Sequence, residues 1–494
     1  MLGRSEKIIV GLILLVYGFI SLQYSTKQGY WHDEIHTLTY LKGVSAYNFD
    51  GGVLKSESFP THTNDYKILI EDDKFWDGLP TLVLHEGHPP LYYLALKLWS
   101  KVFGYNEVGL RSFSIFCGLL AFLFMFFLFK RLGLKKTVFW AMVLVVTTNP
   151  FLFYFFSEAR MYSLAFLLAA ISINALLNFK VSSFSCLVFI VSSTALLYTH
   201  YYGVFFLSTT LLAFFILRKR SKRDFLLIIP FVLFIPWTYI ILEQIQIHDV
   251  HWTDGFVGLK SSSEGFFYGI SILLSSAGYK ANAWTITMVV FLFSIGITSL
   301  YTKNKKVTVV SFILVIIYLI QLLLFDFLLD NHTILIPRYY VFILLLIFGF
   351  MALILNSLSK IKVYVFTAFI VFFSLVSLYN IYDLTDNRKQ MYREAAWYLD
   401  GLNNSDDICV IVEPNGPLNF GLSYYMKTNV RMLPASKLDL ADSSNLVFVD
   451  ENLGVPYNEG KLNSNEQRLL KEIPFVGLNI LHNDTTILIL KLLQ

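Results

Sequence analysis

The sequence predicts a polytopic α-helical membrane protein that ends in a small soluble α/β domain. Three observations predict it. Hydrophobic residues make up 55% of the 494 and charged residues only 15%, well short of the roughly 25% usual in soluble domains. Apolar runs about 20 residues long, the length that crosses a hydrocarbon core, recur up to residue 382. Beyond that point short β-rich runs alternate with amphipathic ones. With 46 Phe, 29 Tyr and 8 Trp there is more apolar side chain than soluble interiors could hide. A net charge of +4 is too small to imply nucleic-acid binding. Cys117, Cys186 and Cys409 are widely scattered, which excludes a disulfide framework and a cysteine metal cluster.

In lipid only helices or closed barrels satisfy their backbone groups, and runs this long and continuous are helices. Spans are expected near 8–24, 111–129, 137–154, 161–178, 182–199, 202–217, 225–243, 283–300, 308–325, 339–356 and 363–382, about eleven in all. Lysine and arginine gather in short cytoplasmic loops, which orients the set. Arg4 and Lys7 place the N-terminus inside, and the predicted inside loops KRLGLKK (130–136), NFK (178–180), LRKRSKR (217–223), TKNKK (302–306) and SKIK (359–362) are all basic. The outside connections 155–160, 199–202 and 326–338 hold only Arg160 and Arg338. No small-residue cleavage site follows the first span, so an uncleaved anchor is expected.

Eleven spans leave outside the two long segments 25–110 and 244–282, together with the C-terminus. A transmembrane domain over 1–382 is followed by an α/β domain over 383–494. The runs ICVIVE (408–413), NLVFVD (445–450) and TTILILKLL (485–493) read as strands, and 392–402 and 465–473 as amphipathic helices. No internal repeat is visible, unlike the paired halves of many transporters. The sequons at Asn331, Asn403 and Asn483 all fall outside in this topology.

The polar residues that survive near the spans collect at the outer face. Tyr30-Trp31-His32-Asp33-Glu34-Ile35-His36 follows the first span, and His85-Glu86-Gly87-His88-Pro89-Pro90-Leu91-Tyr92-Tyr93 comes about fifty residues later. Glu107 to Arg111 lead into the second span, Glu158 and Arg160 lie before the fourth, His200 and Tyr202 before the sixth, and Arg338 begins the tenth. Arginine grips phosphate oxygens bidentately without losing its charge, and a carboxylate can take a proton from an attacking hydroxyl. Carboxylates, histidines and arginines along one lipid–water boundary therefore fit chemistry on a phosphorylated lipid. Pro89-Pro90 marks a helix start, and LYYLALKLWSKVF, with Leu91, Leu94, Leu98 and Val102 at helical spacing, is too short to span and reads as an interfacial helix.

This ordered set resembles bacterial GT-C glycosyltransferases of the protein-mannosyltransferase and aminoarabinose-transferase type, glycosyltransferase family 39. The match lies in the acidic pair after the first span, His-Pro-Pro-Leu-Tyr-Tyr before an interfacial helix, Arg-Ser at the second span, Glu-Ala-Arg-Met-Tyr-Ser at the fourth, and a trailing α/β domain. The layout matches over residues 8–382, and the motifs concentrate in 30–203. The resemblance implies an inverting transfer from a polyprenyl-phosphate sugar to a lipid, glycan or protein acceptor, at the outer face of a bacterial cytoplasmic membrane. It implies Asp33 as general base and Glu34 as its tuning or acceptor-holding partner. Arg111 and His88 are implied at the donor phosphate, Arg160 and Arg338 as further phosphate contacts, and Glu86, Glu158, His200 and Tyr202 elsewhere in the site. Glu86 stands one residue further from Pro89 than in the family pattern, and His88 replaces a lysine.

Each residue also has a plainer reading. Asp33 suits a helix N-terminus, Arg111 can pair with Glu107 or snorkel to the interface, and His200 and Tyr202 can be interface anchors. FLFYFF (151–156) reads as packing and lipid contact, while His248, Asp249, His251 and Asp254 offer a cover for the site. No cofactor is demanded, although Asp33, Glu34 and His251 are ligand types suited to a divalent cation. Two readings from other classes stand beside the enzyme. A metalloprotease would use His32 and His36, but the zincin pattern needs Glu directly after the first histidine, where Asp33 stands. A transporter or flippase would carry charges at mid-membrane, whereas here the span centres are nearly free of them.

Overall fold

The computed structural model describes residues 3–44, 62–85, 87–179, 182–219, 221–247, 256–275, 305–382, 392–403, 408–412, 416–434, 445–451, 477–483 and 487–493. The expected span at 283–300, the expected helix at 465–473, Glu86, and the set His248, Asp249, His251 and Asp254 lie outside the described residues. The chain folds as two compact units. One comprises Met1–Ser25, Glu86–Gly104 and Val108–Asn387, the other Thr26–His85, Tyr105–Glu107 and Arg388–Gln494.

The first unit is helical. It holds the apolar helix α1 (Arg4–Lys27), which runs on past Ser25, and, after α2 (His32–Leu41), α3 (Thr63–Glu71) and α4 (Phe75–His85) of the other unit, α5 (Leu91–Phe103) and α6 (Glu107–Arg131). There follow α7 (Lys136–Thr147), α8 (Pro150–Phe156), α9 (Tyr162–Leu177), α10 (Ser183–Leu197), α11 (Gly203–Leu217), α12 (Ile229–Phe234), α13 (Trp237–Ile247), α14 (Leu259–Ser275), α15 (Lys305–Leu328), α16 (Ile343–Leu355) and α17 (Lys360–Tyr382). Among the described residues α1, α6 and α17 are long and apolar enough to cross a membrane. The count rises to five if two bent pairs are single spans. One pair, α7 and α8, bends by 52° at Thr148-Asn149, and Lys222–Phe234 meets Trp237–Gln246 at 42° beside Pro236. Leu12, Leu15, Phe19, Ile361, Val365 and Phe372 stand exposed on α1 and α17, as lipid-facing side chains do.

Close approach and hydroxyl bonds knit these helices, since apolar burial gains little between helices already in lipid. A Cβ on Gly118 would collide with the Phe156 ring, so α6 meets α8 at glycine. Ser172 and Ser192 pair at 2.9 Å across α9 and α10. The bend at Asn149 is capped on both sides. Its Oδ1 accepts from the Leu152 N–H at 2.9 Å, and its Nδ2 donates to the carbonyls of Leu273 (2.9 Å) and Leu274 (3.2 Å) on α14.

The helix expected after Pro90 forms as α5, and its outward face is mainly apolar: Leu98, Val102 and Phe103 are exposed beside Lys101, while Tyr92, Tyr93, Leu96, Lys97 and Ser100 are buried.

The second unit contains a five-stranded sheet in the order β2-β1-β3-β5-β4, from β1 (Ile408–Val412), β2 (Arg431–Pro434), β3 (Asn445–Glu451), β4 (Gly477–Asn483) and β5 (Ile487–Leu493). β1 runs parallel to β2 and β3, and β5 antiparallel to β3 and β4. Helices α18 (Tyr392–Asn403) and α19 (Gly416–Tyr425) pack on each other. The sequence marked β1, β3, β5 and α18; β2, β4 and α19 emerge only in the structure.

Residues 62–71 join this unit. The Thr63 N–H donates to the Val430 carbonyl at 3.0 Å, its hydroxyl to that of Thr428 at 3.0 Å, and Asn419 Nδ2 to the Tyr66 hydroxyl at 3.2 Å.

Candidate functional site

Asp33 and Glu34 open α2 in the second unit. Trp31 precedes the helix in extended conformation, and its N–H reaches Glu34 Oε2 at 3.5 Å. Glu34 is fully buried and closes the helix start, whereas Asp33 is only half-buried. His32 and His36 face each other one turn apart, ring centroids 5.0 Å. Among the described residues no group of three His, Cys, Asp or Glu side chains is arranged to hold a metal ion.

The remaining described candidates belong to the first unit, Arg111 on α6 and the others on or beside its inter-helix turns. Residues 157–161 turn between α8 and α9, and 198–202 between α10 and α11. The Leu91 N–H donates to the Tyr198 carbonyl at 3.0 Å, tying the start of α5, and His88 just before it, to the second turn. The Ser114 hydroxyl donates to the Arg160 carbonyl at 3.3 Å, tying α6 to the first. Arg111, one turn before Ser114, is buried, and its Nη1 donates to the Ser25 carbonyl at 2.6 Å.

His200 is the hub. Its ring lies 5.9 Å from that of His88, 5.9 Å from Tyr162, 5.7 Å from Tyr202 and 5.4 Å from Phe342. Tyr202 stacks on Tyr339 at 5.3 Å and 16°, and the Arg338 guanidinium sits 5.7 Å from the Tyr339 ring. The backbone N–H of Tyr202 reaches His200 Nδ1 at 3.3 Å, so Nδ1 is the acceptor and the proton of the neutral ring sits on Nε2. Burial, reinforced by the neighbouring His88 ring and the Arg160 guanidinium, holds the His200 pKa well below the ordinary histidine value. Its buried Nε2 finds no acceptor among the described residues. Glu158 and Arg160 are also buried, on a turn rather than a helix, with the Arg160 N–H on the Glu158 carbonyl at 2.8 Å.

The first unit thus gathers His88, Arg160, His200, Tyr202 and Arg338. Asp326 is a neighbour that sequence reasoning missed. Fully buried near the end of α15, it accepts from the Thr333 hydroxyl at 2.5 Å and from the Ile334 N–H at 2.8 Å, and Thr333 bonds in turn to Tyr202. The available signal was a lone acid within the apolar run QLLLFDFLL.

No protein-family model and no curated protein sequence matches the chain. Solved structures do match. The apo form of ArnT from Cupriavidus metallidurans superposes with a TM-score of 0.57 at 10% identity, over 98% of this chain and 97% of that one. The same protein bound to undecaprenyl phosphate gives 0.55 at 10% identity, over 99% and 98%. At this identity the likeness is one of fold: the chain shares the fold of ArnT, an enzyme of the type that the motif order resembles.

Proposed function

We propose that the protein is an inverting glycosyltransferase that moves a sugar from a polyprenyl-phosphate donor to an acceptor hydroxyl or phosphate on a lipid, glycan or protein. The observation that carries this reading is the cluster around His200. A buried imidazole N–H with no acceptor among the described residues, close to His88 and beside the Arg160 guanidinium, offers an anionic ligand a donor and a positive charge within an apolar bundle. A lipid phosphate is such a ligand, and the ArnT structure of the same fold holds undecaprenyl phosphate.

In this mechanism the acceptor oxygen attacks the anomeric carbon from the face opposite the phosphate. The new C–O bond forms as the bond to the phosphate oxygen breaks, and the acceptor proton passes to Asp33. Polyprenyl phosphate leaves with the bonding pair. Arg111, Arg160, Arg338 and His88 neutralise its growing charge, and His200 Nε2–H donates to a phosphate oxygen. Glu34, buried and tied to the helix start, holds α2 and orients Asp33. No resident cofactor enters these steps. The outer face of a bacterial cytoplasmic membrane is the assigned location, with residues 383–494 as an extracytoplasmic domain and Glu86 and Glu158 as further site residues.

The test incubates purified protein with labelled polyprenyl-phosphate sugars and membrane acceptors, with and without EDTA, beside Asp33→Asn. Transfer by the native protein and a loss of about 100-fold or more in the variant are expected, the scale of a lost general base. Full transfer by Asp33→Asn removes that residue from the role, and failure with every donor overturns the reading.

A further inference from the structure

The segment joining α1 to α2 is gripped by residues nearly four hundred positions away. Tyr425, the last residue of α19, accepts the Tyr30 N–H on its hydroxyl at 2.6 Å and donates its own proton to Glu107 Oε1 at 2.7 Å. Arg393, near the start of α18, donates to the carbonyls of Lys27 (2.6 Å) and Thr26 (3.3 Å), and its Nη1 lies 3.8 Å from the same Glu107 oxygen. Gly29 lies between them with no room for a side chain: a Cβ there would sit 2.7 Å from Arg393 Cβ and 3.1 Å from the Tyr425 ring. Tyr30 is fully buried, its hydroxyl on the Tyr105 carbonyl at 2.6 Å and its ring 5.7 Å from that of Tyr424. Three residues further on stands Asp33, on a helix that packs against α19.

We infer that Arg393 and Tyr425 form a clamp through which the C-terminal segment positions Asp33, fixing the carboxylate by holding the backbone that leads into α2. The inference rests on the proposed function for the role of Asp33. The geometry favours positioning over general stabilisation, because three of the clamp's bonds go to backbone groups of residues 26–30. A misplacement of about 1 Å at a catalytic group costs on the order of 100-fold in rate. Tyr425 and Arg393 are positioning residues, acting on the reaction only through α2.

The experiment uses the full-length protein in detergent or nanodiscs. Tyr425→Phe removes one hydroxyl and leaves the ring in place. Its kcat is expected to fall about tenfold or more while KM for the lipid donor stays within about twofold, and amides 26–41 are expected to exchange with deuterium faster. Glu107→Gln keeps an acceptor for the Tyr425 hydroxyl and is expected to hold kcat within a few-fold. Unchanged kcat and unchanged exchange in Tyr425→Phe overturn the clamp, as does a parallel loss of kcat, donor affinity and thermal stability. If Tyr425→Phe does not fold, Arg393→Lys answers the same question by the same readouts. Deuterium exchange needs no turnover, so it judges the clamp even where Asp33→Asn has already overturned the role of Asp33.

Discussion

His200 Nδ1 accepts the backbone N–H of Tyr202 at 3.3 Å across the turn between α10 and α11, and that contact fixes which ring nitrogen carries the proton. Burial holds the ring neutral, and that makes folding sensitive to pH. The folded His200 has a pKa well below 6.5 while the unfolded one titrates near it, so below about pH 6.5 the unfolded chain takes up a proton that the folded chain refuses. The stability His200 confers is therefore complete above that pH and is lost as pH falls further, by at most about 1.4 kcal/mol per pH unit. Thermal unfolding of the detergent-solubilised protein between pH 7.5 and 5 should show the decline, and His200→Gln should flatten it.

His200→Gln also tests the phosphate contact. The glutamine keeps a donor but not the imidazole geometry, so an increase of about tenfold in KM for the lipid donor is expected, the worth of one hydrogen bond to a charged group. Equilibrium binding of polyprenyl phosphate reads it without the acceptor. Unaltered donor affinity would remove His200 from the phosphate site.

Asp326 holds the turn that carries Arg338. Replacing it by Ala strips the Thr333 hydroxyl and the Ile334 N–H of their shared acceptor, at a cost of about 2–4 kcal/mol. Asp326→Asn keeps one acceptor oxygen and should lose roughly half as much. The check is chemical unfolding of both variants in matched detergent; equal stability of Ala and Asp at this position would contradict the assignment.

Glu34 closes the start of α2 from a buried position. Glu34→Gln retains an oxygen for the Trp31 N–H and should unfold within about 1 kcal/mol of the native protein, whereas Glu34→Ala should cost about 1–2 kcal/mol. If the two variants melt alike, the carboxylate is not a cap.

Asn149→Ala removes a cap for α8 and a donor to the last turn of α14 together. A loss of about 1–2 kcal/mol is expected, read as a lowered melting temperature with unchanged helical content.

Much of this was legible because it is local. Runs such as ILLLIFGFMALIL announce helices by composition, and Pro89-Pro90 marks the start of α5 one residue later. The histidines and arginines at the turns stood out because charge near lipid is costly, and the structure gathers His88, Arg160 and His200. The rest depends on distant partners. RMLP is too short to read as a strand until Cys409 to Val412 pair with it, and β4 becomes a strand through its antiparallel partner β5. The apolar stripe of α5 was visible, but only the fold shows Lys97 turned inward. Nothing in the sequence around Thr63 or Tyr30 reveals that they bond to Thr428 and Tyr425.

Those distances along the chain set an order of assembly. Tyr30 and Tyr425 are 395 residues apart, and a ribosome adding about 5–20 residues per second needs on the order of 20–80 s to pass from one to the other. For that interval the loop bearing Asp33 has been made and its clamp has not. Spans can enter the bilayer one after another as they emerge, but this loop waits for Arg393 and Tyr425, so a chain cut short before α19 would carry the described helices of the first unit and still lack a seated Asp33.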